Sequence, residues 1–224
     1  MSFRHEPVML EELEAETLPS GRTYTTPEGN KYPSITTCLS ILSRESIKAW
    51  RARVGEEEAN RISGRAAGRG TRVHKMCEDY INNCLVIDKY TPADKQTFYD
   101  LKPILDEHIG LVRGQEVPLY SDYLGVAGRV DCVAEWDGRL SVIDFKTSRK
   151  TKKKEWITSY FMQASAYCVM FEERTGIPID KIVIVIAVDG AEPQVFVEKR
   201  DKYILDCAKT ILQYKEEASH LNFL

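Results

Sequence analysis

Long hydrophobic runs are absent from this 224-residue chain. The longest uninterrupted apolar stretch, Ile182 to Val188, has seven residues, whereas a membrane-spanning helix needs about 20. The first sixteen residues contain five glutamates and no apolar segment of the kind found in signal peptides. The sequence therefore excludes a transmembrane protein and predicts a cytoplasmic location with no membrane partner.

Motifs that bind metals through cysteine, or nucleotides through glycine, are also missing. The chain has six cysteines but no Cys-x-x-Cys pair, and no histidine stands at zinc-finger spacing from two cysteines. No Gly-x-x-x-x-Gly-Lys-Ser/Thr motif occurs, so neither ATP binding nor a fused helicase is expected. We expect reduced cysteines that pack as small hydrophobic residues.

Charge of one sign is not in excess, because 31 Lys and Arg oppose 34 Asp and Glu, for a net charge of −3. The distribution is uneven. The segment 44–75 carries nine basic residues against four glutamates, and the segment 146–154 carries six basic residues and no acid. Such segments are typical of solvated helix faces, but they also permit a groove that binds a polyanion.

The order of patterns predicts a mixed α/β, or α+β, protein. Residues 1–32 are polar and punctuated by Gly and Pro, which predicts a flexible arm. A helical part is expected over 33–110, starting after the N-cap candidate Ser34 and breaking at Gly55 and Gly64. The rest, 111–224, should hold a sheet, with Asp137-Gly138 as a tight hairpin turn. Strands are expected over 115–120, 124–135, 140–145, 181–188 and 194–199, and helices over 92–108, 155–173 and 200–218.

One constellation of charged residues suggests chemistry. Asp144 and Lys146 are two apart on a predicted strand, so they share a face, and Asp131 lies across the predicted hairpin. Crowded carboxylates repel unless a cation lies between them, and carboxylate oxygens suit Mg²⁺ or Mn²⁺. A lysine beside a metal-bound water can orient or deprotonate it. Seen alone, however, Asp-x-Lys on a strand is usually a surface ion pair.

Further polar residues flank this constellation in a definite order. His74 lies on a predicted helix before it, and Glu116 on the strand before Asp131. Gln163 and Tyr167 follow at i and i+4, on one face of a later helix. Each of these features is ordinary by itself.

Together, the series His74, Glu116, Asp131, Asp144-Phe145-Lys146 and Gln163-x-x-x-Tyr167 resembles the PD-(D/E)XK nucleases of the RecB type. Within that superfamily the chain is most similar to the mitochondrial genome maintenance exonuclease group with its phage and bacterial relatives. The resemblance spans residues 32–215 and implies a restriction-endonuclease-like core. In that core a central mixed sheet is flanked by helices, with further helices on the N-terminal side.

The resemblance also implies roles for the site residues. His74, Asp131, Asp144 and the carbonyl of Phe145 would hold Mg²⁺, for which Mn²⁺ would substitute, and Lys146 would act at the attacking water. Glu116 would be a second or water-mediated ligand, while Gln163 and Tyr167 would orient the site or contact DNA. Some relatives carry an iron–sulfur cluster on a group of C-terminal cysteines. This chain lacks such a group, so no iron–sulfur cluster is expected.

The resemblance points to a metal-dependent deoxyribonuclease that degrades single-stranded DNA from a free end, together with replication or recombination proteins. A double-strand-end recombination exonuclease and a non-catalytic DNA-binding or assembly module are the alternatives. Basic residues near the site are expected to contact DNA: Arg51, Arg53, Arg65, Arg69, Arg72, Lys150, Lys152 and Lys153.

Overall fold

The structure, a computed structural model, describes residues 2–221. Its elements, in chain order, are β1 (Glu14–Leu18), β2 (Gly21–Thr25), β3 (Lys31–Pro33), α1 (Ile35–Leu39), α2 (Arg44–Val54), α3 (Glu56–Ile81), α4 (Pro92–His108), β4 (Ile109–Ser121), β5 (Val126–Trp136), β6 (Arg139–Ser148), α5 (Thr158–Thr175), β7 (Lys181–Val188), β8 (Gln194–Lys199) and α6 (Ile204–Leu221). Within this described range, no helix is long and apolar enough to cross a bilayer.

The central sheet has five strands in the order β4-β5-β6-β7-β8. All neighbours are antiparallel except β6 and β7, which run parallel and are joined through α5. Strand β7 shows why the sheet sits in the middle of the molecule. Its Ile182, Ile184 and Ile186 pack into one hydrophobic cluster, and the alternate residues Val183 and Val185 pack into another. A strand buried on both faces reads as a continuous apolar run.

Helices cover both faces of this sheet. On one face, α1, α5 and α6 pack together, with Phe161, Phe171 and Cys207 in the shared core. On the other, α3 and α4 contribute Met76, Leu101 and others to a second core. The mixed α/β class predicted from the sequence, with a central mixed sheet flanked by helices, is confirmed.

Two local signals in the sequence produce the structures they predict. Ser34 caps α1, because its hydroxyl oxygen accepts the Thr37 amide at 3.0 Å. Asp137 and Gly138 have φ angles of 51° and 71°, and Trp136 pairs with Arg139 across the turn. Two consecutive positive φ angles are those of a two-residue hairpin whose twist matches that of the strands.

The break predicted at Gly64 is wrong, although the one at Gly55 is confirmed. Helix α3 runs unbroken for 26 residues through Gly64, Gly68 and Gly70, and so the glycines do not form a flexible lead-in to His74. Each glycine costs roughly 1 kcal/mol in a helix interior, and most of the core residues of α3, Val73, Met76, Cys77 and Ile81, come after the glycines. A Cβ added at Gly70 would lie 3.6 Å from Thr147 Oγ1 of β6, an ordinary van der Waals contact.

Residues 2–33 form ordered structure where the composition predicted a flexible arm. Strands β1, β2 and β3 make a small antiparallel sheet, and Tyr24 of β2 is buried against Tyr120 and Ala127. Before it, the chain pairs along β4, where the Glu6 amide donates to the Val112 carbonyl at 2.9 Å. Gly and Pro marked the turns of this sheet, and its few buried side chains were too sparse to predict it.

Candidate active site

The site begins where β5 and β6 separate. Their ladder pairs run from Trp136–Arg139 to Cys132–Ile143. One residue further along, the Asp131 carboxylate accepts the Phe145 amide at 2.8 Å. A side chain thus takes the place of a backbone acceptor, and it holds the Asp131 carboxylate between the two strands.

Asp144 and Lys146 project from β6 beside this gap. The Lys146 Nζ atom lies 2.6 Å from Asp144 Oδ2 and donates to Gln163 Oε1 at 3.3 Å. Among the residues described, Asp144 Oδ1 is buried without a hydrogen-bond partner, and Oδ2 has only the Lys146 ammonium beside it. Buried polar atoms are almost always hydrogen-bonded, so the unpaired Oδ1 requires an explanation.

Glu116 reaches the same place through an uncommon backbone conformation. Its φ angle is 49°, in the left-handed region that non-glycine residues rarely adopt. The Arg129 guanidinium donates to the Glu116 carbonyl oxygen and also pairs with Glu12. Strained backbone of this kind is concentrated at functional sites. Here it accompanies a carboxylate that points toward His74.

Asp131 links two overlapping groups of ligand atoms. Atoms of His74, Glu116 and Asp131 all lie within 4.8 Å of one another, and His74 Nδ1 is 3.5 Å from Asp131 Oδ2. Asp144 is not a member of that close group in the described part of the chain. It faces Asp131 closely enough that the two carboxylates repel each other.

The electrostatics of the cluster favour binding a cation. Burial, followed by repulsion from Asp144, raises the pKa of Asp131, while His74 and Lys146 oppose that shift. Burial and the nearby Asp131 raise the pKa of Glu116 to about 7. Burial lowers the pKa of Lys146, but Asp144 and Asp131 outweigh it, and the net pKa is raised. Lys146 is therefore a fixed ammonium at neutral pH.

A divalent cation fits these residues. The unpaired Oδ1 of Asp144 lacks the partner that a cation would supply. The pKa values of Asp131 and Glu116 are raised first by burial and then by neighbouring carboxylates, and a bound cation would offset both effects. Carboxylate oxygens suit Mg²⁺ and Mn²⁺, and imidazole suits transition metals. The cluster is thus a possible metal site.

Helix α5 forms the wall behind Lys146. Gln163 accepts from Lys146, and the ammonium also lies 5.1 Å from the centre of the Tyr160 ring. Burial raises the pKa of Tyr167, and the hydrogen bond between Tyr167 and Gln163 partly offsets this rise. Gly128 of β5 makes room for this tyrosine, since a Cβ there would lie 2.8 Å from its hydroxyl oxygen.

The basic residues expected to contact DNA fall into two sets. Three of them form ion pairs: Arg51 with Glu56, Arg69 with Asp189 at 2.6 Å and Arg72 with Asp94 at 2.9 Å. Within the described residues 2–221, the other five form no ion pair with an acidic side chain: Arg53, Arg65, Lys150, Lys152 and Lys153. The lysine loop is nevertheless held in place, because the Lys152 amide donates to Gln194 Oε1 at 2.7 Å.

Two clefts open along α3. A cleft of about 580 Å³ beside the C-terminal half of α3 is lined by Gly70, His74 and Glu116, and also by Arg22 from the small sheet. A second, of about 380 Å³, lies toward the N-terminal half, between Arg65 and Arg149, which follows the end of β6. The candidate ligands therefore lie beside a surface with room for an extended ligand.

Sequence reasoning missed three residues of the site. Tyr160 precedes Gln163 by three positions and Tyr167 by seven, so helical spacing could have placed all three on one face. Gly128, two residues before Val130, allows the Tyr167 ring to lie close to the backbone of β5. Arg22 had no signal, because its segment showed no periodicity that would bring it to the site.

Comparison with known proteins adds an independent observation. A family model described as the PD-(D/E)XK nuclease superfamily matches residues 48–217. The human "Mitochondrial genome maintenance exonuclease 1" is 28% identical over 133 residues, which are 55% of this chain and 38% of that protein. The Xenopus tropicalis protein of the same name is 28% identical over 160 residues, covering 66% of this chain and 44% of its own. The chain thus spans less than half the length of these curated relatives.

Among solved structures, a "Putative exonuclease" from Eubacterium rectale aligns with a TM-score of 0.46 at 15% identity, covering 66% of this chain and 68% of that one.

Proposed function

Because the chain belongs to the PD-(D/E)XK nuclease superfamily, we propose that it is a metal-dependent DNA exonuclease. In this proposal it hydrolyses phosphodiester bonds from the ends of single-stranded DNA during replication, repair or recombination. The observation that carries the proposal is the meeting of His74, Glu116 and Asp131 beside Asp144, which is buried and paired with the ammonium of Lys146. The exonuclease names of the curated relatives support it.

The ligand roles follow the donor atoms. His74, Asp131, Asp144 and the Phe145 carbonyl would hold Mg²⁺, or Mn²⁺ in its place, with Glu116 as a further ligand. The bound ion would polarise the phosphate of the DNA and activate a water molecule for attack. Asp131 belongs both to the group with His74 and Glu116 and to the pair with Asp144. This arrangement would also suit two adjacent metal ions.

Lys146 is the residue that would act at the attacking water. Its ammonium is held by Asp144 and Gln163 and rests against Tyr160, so its position is fixed before substrate arrives. A fixed cation next to the phosphate orients the attacking water and stabilises the charge that develops on the phosphate oxygens. Gln163 and Tyr167 are positioning residues in this scheme, because they support Lys146 from α5.

The preference for a single strand rests on the clefts along α3. Arg65 and Arg149 flank one cleft, and the loop with Lys150, Lys152 and Lys153 follows directly. A strand laid along the helix from there would pass the cluster at His74. Arg53 lies on the neighbouring α2. Arg51, Arg69 and Arg72 would contribute only if DNA displaced their acidic partners.

The proposal is tested with end-labelled oligonucleotides in Mg²⁺, compared with EDTA. Linear single strands, blunt duplexes and circular single strands are digested at matched salt, with Asp144→Asn as the inactive control. Further substrates carry blocked 5′ or 3′ ends. Fast loss of the linear strand while the circle survives is the expected result.

Other outcomes select other functions. Faster digestion of the blunt duplex would favour a double-strand-end exonuclease, and cutting of the circle would contradict dependence on an end. DNA binding without digestion in any divalent ion would leave a binding or assembly module. The cytoplasmic location and the replication or recombination partners stay predictions.

A further inference from the structure

The small N-terminal sheet contributes a cation to the cleft that holds the candidate ligands. Arg22 of β2 lines the cleft of about 580 Å³ together with His74 and Glu116. Tyr24 on the same strand is buried in a small cluster with Tyr120 of β4 and Ala127 of β5. A segment far from the other site residues in sequence therefore forms part of the cleft wall.

The backbone of Arg22 is fixed on both sides. Its amide donates to Thr37 Oγ1 at 3.1 Å, and its carbonyl accepts the Ser34 amide at 2.7 Å. Ser34 is also the N-cap of α1 and forms a bridge with Ala127 of β5. Gly21, with a φ of 129°, permits this approach, since a Cβ there would lie 2.3 Å from Thr37. Arg22 is thus attached to the same strand that carries Asp131.

The side chain of Arg22 is exposed and has no carboxylate partner among the residues that the structure describes. Its guanidinium lies 5.2 Å from the centre of the Tyr24 ring, and it forms no ion pair within residues 2–221. The neighbouring cation in the cleft, Lys75, is paired with Glu78 and Asp79 at 3.1 and 3.0 Å. Arg22 is therefore positioned by an aromatic ring while its donors remain available to a ligand.

We propose that Arg22 binds a backbone phosphate of the DNA strand beside the bond to be cut, so that the small sheet forms one wall of the substrate cleft. This inference rests on the proposed nuclease function. The planar guanidinium offers paired donors that match a phosphate, which an ammonium does not. A cationic side chain next to an acidic metal cluster would otherwise gain most by pairing with an acid. This one instead stacks on Tyr24.

The test measures binding separately from cleavage. Arg22→Ala, Arg22→Gln and Arg22→Lys are made in the Asp144→Asn background, and binding of a fluorescent single-stranded oligonucleotide is followed by anisotropy in EDTA at several salt concentrations. Lys31→Ala is the matched control, because Lys31 is an exposed cation on β3 of the same sheet. Unfolding midpoints are recorded for every variant, and Arg22→Gln, which keeps the length of the side chain, serves if Arg22→Ala unfolds.

Loss of the contact should weaken binding about tenfold, as for a hydrogen bond to a charged group. The slope of the logarithm of the binding constant against the logarithm of the salt concentration should also become shallower by about 0.7, the value for one phosphate contact on a single strand. Arg22→Lys should keep the slope and lose part of the affinity. In the active background, Arg22→Ala should raise KM more than it lowers kcat.

Two results would overturn the assignment. One is an Arg22→Ala or Arg22→Gln protein whose affinity and slope match those of Lys31→Ala. The other is unchanged DNA binding with tighter Mg²⁺ binding, which would mean that Arg22 only offsets the acids around Glu116. Failure of the wild-type protein to bind or cut DNA would instead overturn the proposed function.

Discussion

Asp94 and Asp144 are buried to nearly the same extent, with 4% and 1% of their surface exposed, and each pairs with one cation, but their other neighbours differ. Asp94 caps α4 together with Thr91 and receives the Arg72 guanidinium at 2.9 Å and the Thr91 hydroxyl at 2.8 Å. Asp144 has the Lys146 ammonium beside Oδ2 at 2.6 Å, but its Oδ1 has no hydrogen-bond partner among the described residues, and the Asp131 carboxylate faces it. The first aspartate is paired within the fold, whereas one oxygen of the second is left without a partner.

The pKa shifts follow the same division. Burial alone would raise the pKa of Asp94, but the hydrogen bonds from Arg72 and Thr91 outweigh it and the net pKa is lowered. For Asp131, burial and Asp144 outweigh its favourable contacts, and the pKa is raised. A buried acid with a lowered pKa adds stability at neutral pH, and one with a raised pKa removes it. The active site therefore costs stability that other parts of the fold offset.

The comparison is tested most strongly by Asp144→Asn and Asp131→Asn. Each change removes a ligand charge with almost no change in volume, so cleavage should fall to the level of the EDTA control, a loss of several kcal/mol in transition-state stabilisation at a metal site. The fold and most DNA binding should persist, as measured by circular dichroism and anisotropy. Near-normal turnover of either variant in Mg²⁺ would show that the site is assigned wrongly.

Lys146→Ala should have the next largest effect. The ammonium acts at the attacking water, and such acid–base help contributes about 10²–10⁴-fold. Metal affinity, measured by calorimetry, should be retained, because the carboxylates remain. A variant that lost metal affinity but kept its rate at saturating metal would contradict this division of roles.

Metal should stabilise the protein more at high pH than at low pH. Asp131 and Glu116 have raised pKa values in the folded state, so their stabilising contribution is complete below their ordinary values of 3.8 and 4.5. It is lost as the pH rises through the folded values, about 7 for Glu116. We therefore expect Mg²⁺ to raise the unfolding midpoint clearly at about pH 8 and little at about pH 5.

Glu116→Gln provides the control for this pH effect. It removes one of the two raised groups, so the metal-free protein should lose less stability between about pH 5 and about pH 8 than the wild type. Equal pH dependence of the two proteins would mean that Glu116 does not titrate in the folded state as inferred.

The smallest effect is expected for the well-partnered aspartate. Asp94→Asn leaves the Arg72 guanidinium without its charged partner and weakens the cap of α4, at a cost of about 1–3 kcal/mol in the free energy of unfolding. Chemical denaturation measures this cost. Turnover per folded molecule should stay the same, and a loss of activity like that of Asp144→Asn would remove the distinction between the two residues.

The sequence indicated most of the candidate cluster, for physical reasons that these residues illustrate. Asp144 and Lys146 share a face because of strand periodicity, and Asp137-Gly138 fixes the hairpin that brings Asp131 to them. The strands Lys181–Val188 and Gln194–Lys199 match their predicted bounds, because each is bordered by polar or turn-forming residues.

Features that depend on contacts between distant segments could not be predicted. Helix α3 continues through the exposed Gly64, while its packing in the core is made by Val73, Met76 and Cys77 further along. The positive φ of Glu116 depends on Arg129, and the position of Arg22 depends on Thr37 and Ser34. The ion pairs of Arg69 and Arg72 likewise involve partners from other elements. Local patterns carry no record of such contacts.

The pairing of the N-terminal segment with β4 has a consequence for solubility. Strand β4 is an outer strand of the five-stranded sheet, and its free side would offer unpaired amides and carbonyls to other chains. Hydrogen bonds between the segment 4–8 and Val112 and Arg113 occupy part of that side. By covering part of the edge, the segment reduces the backbone that is free to pair with the edge strand of another chain.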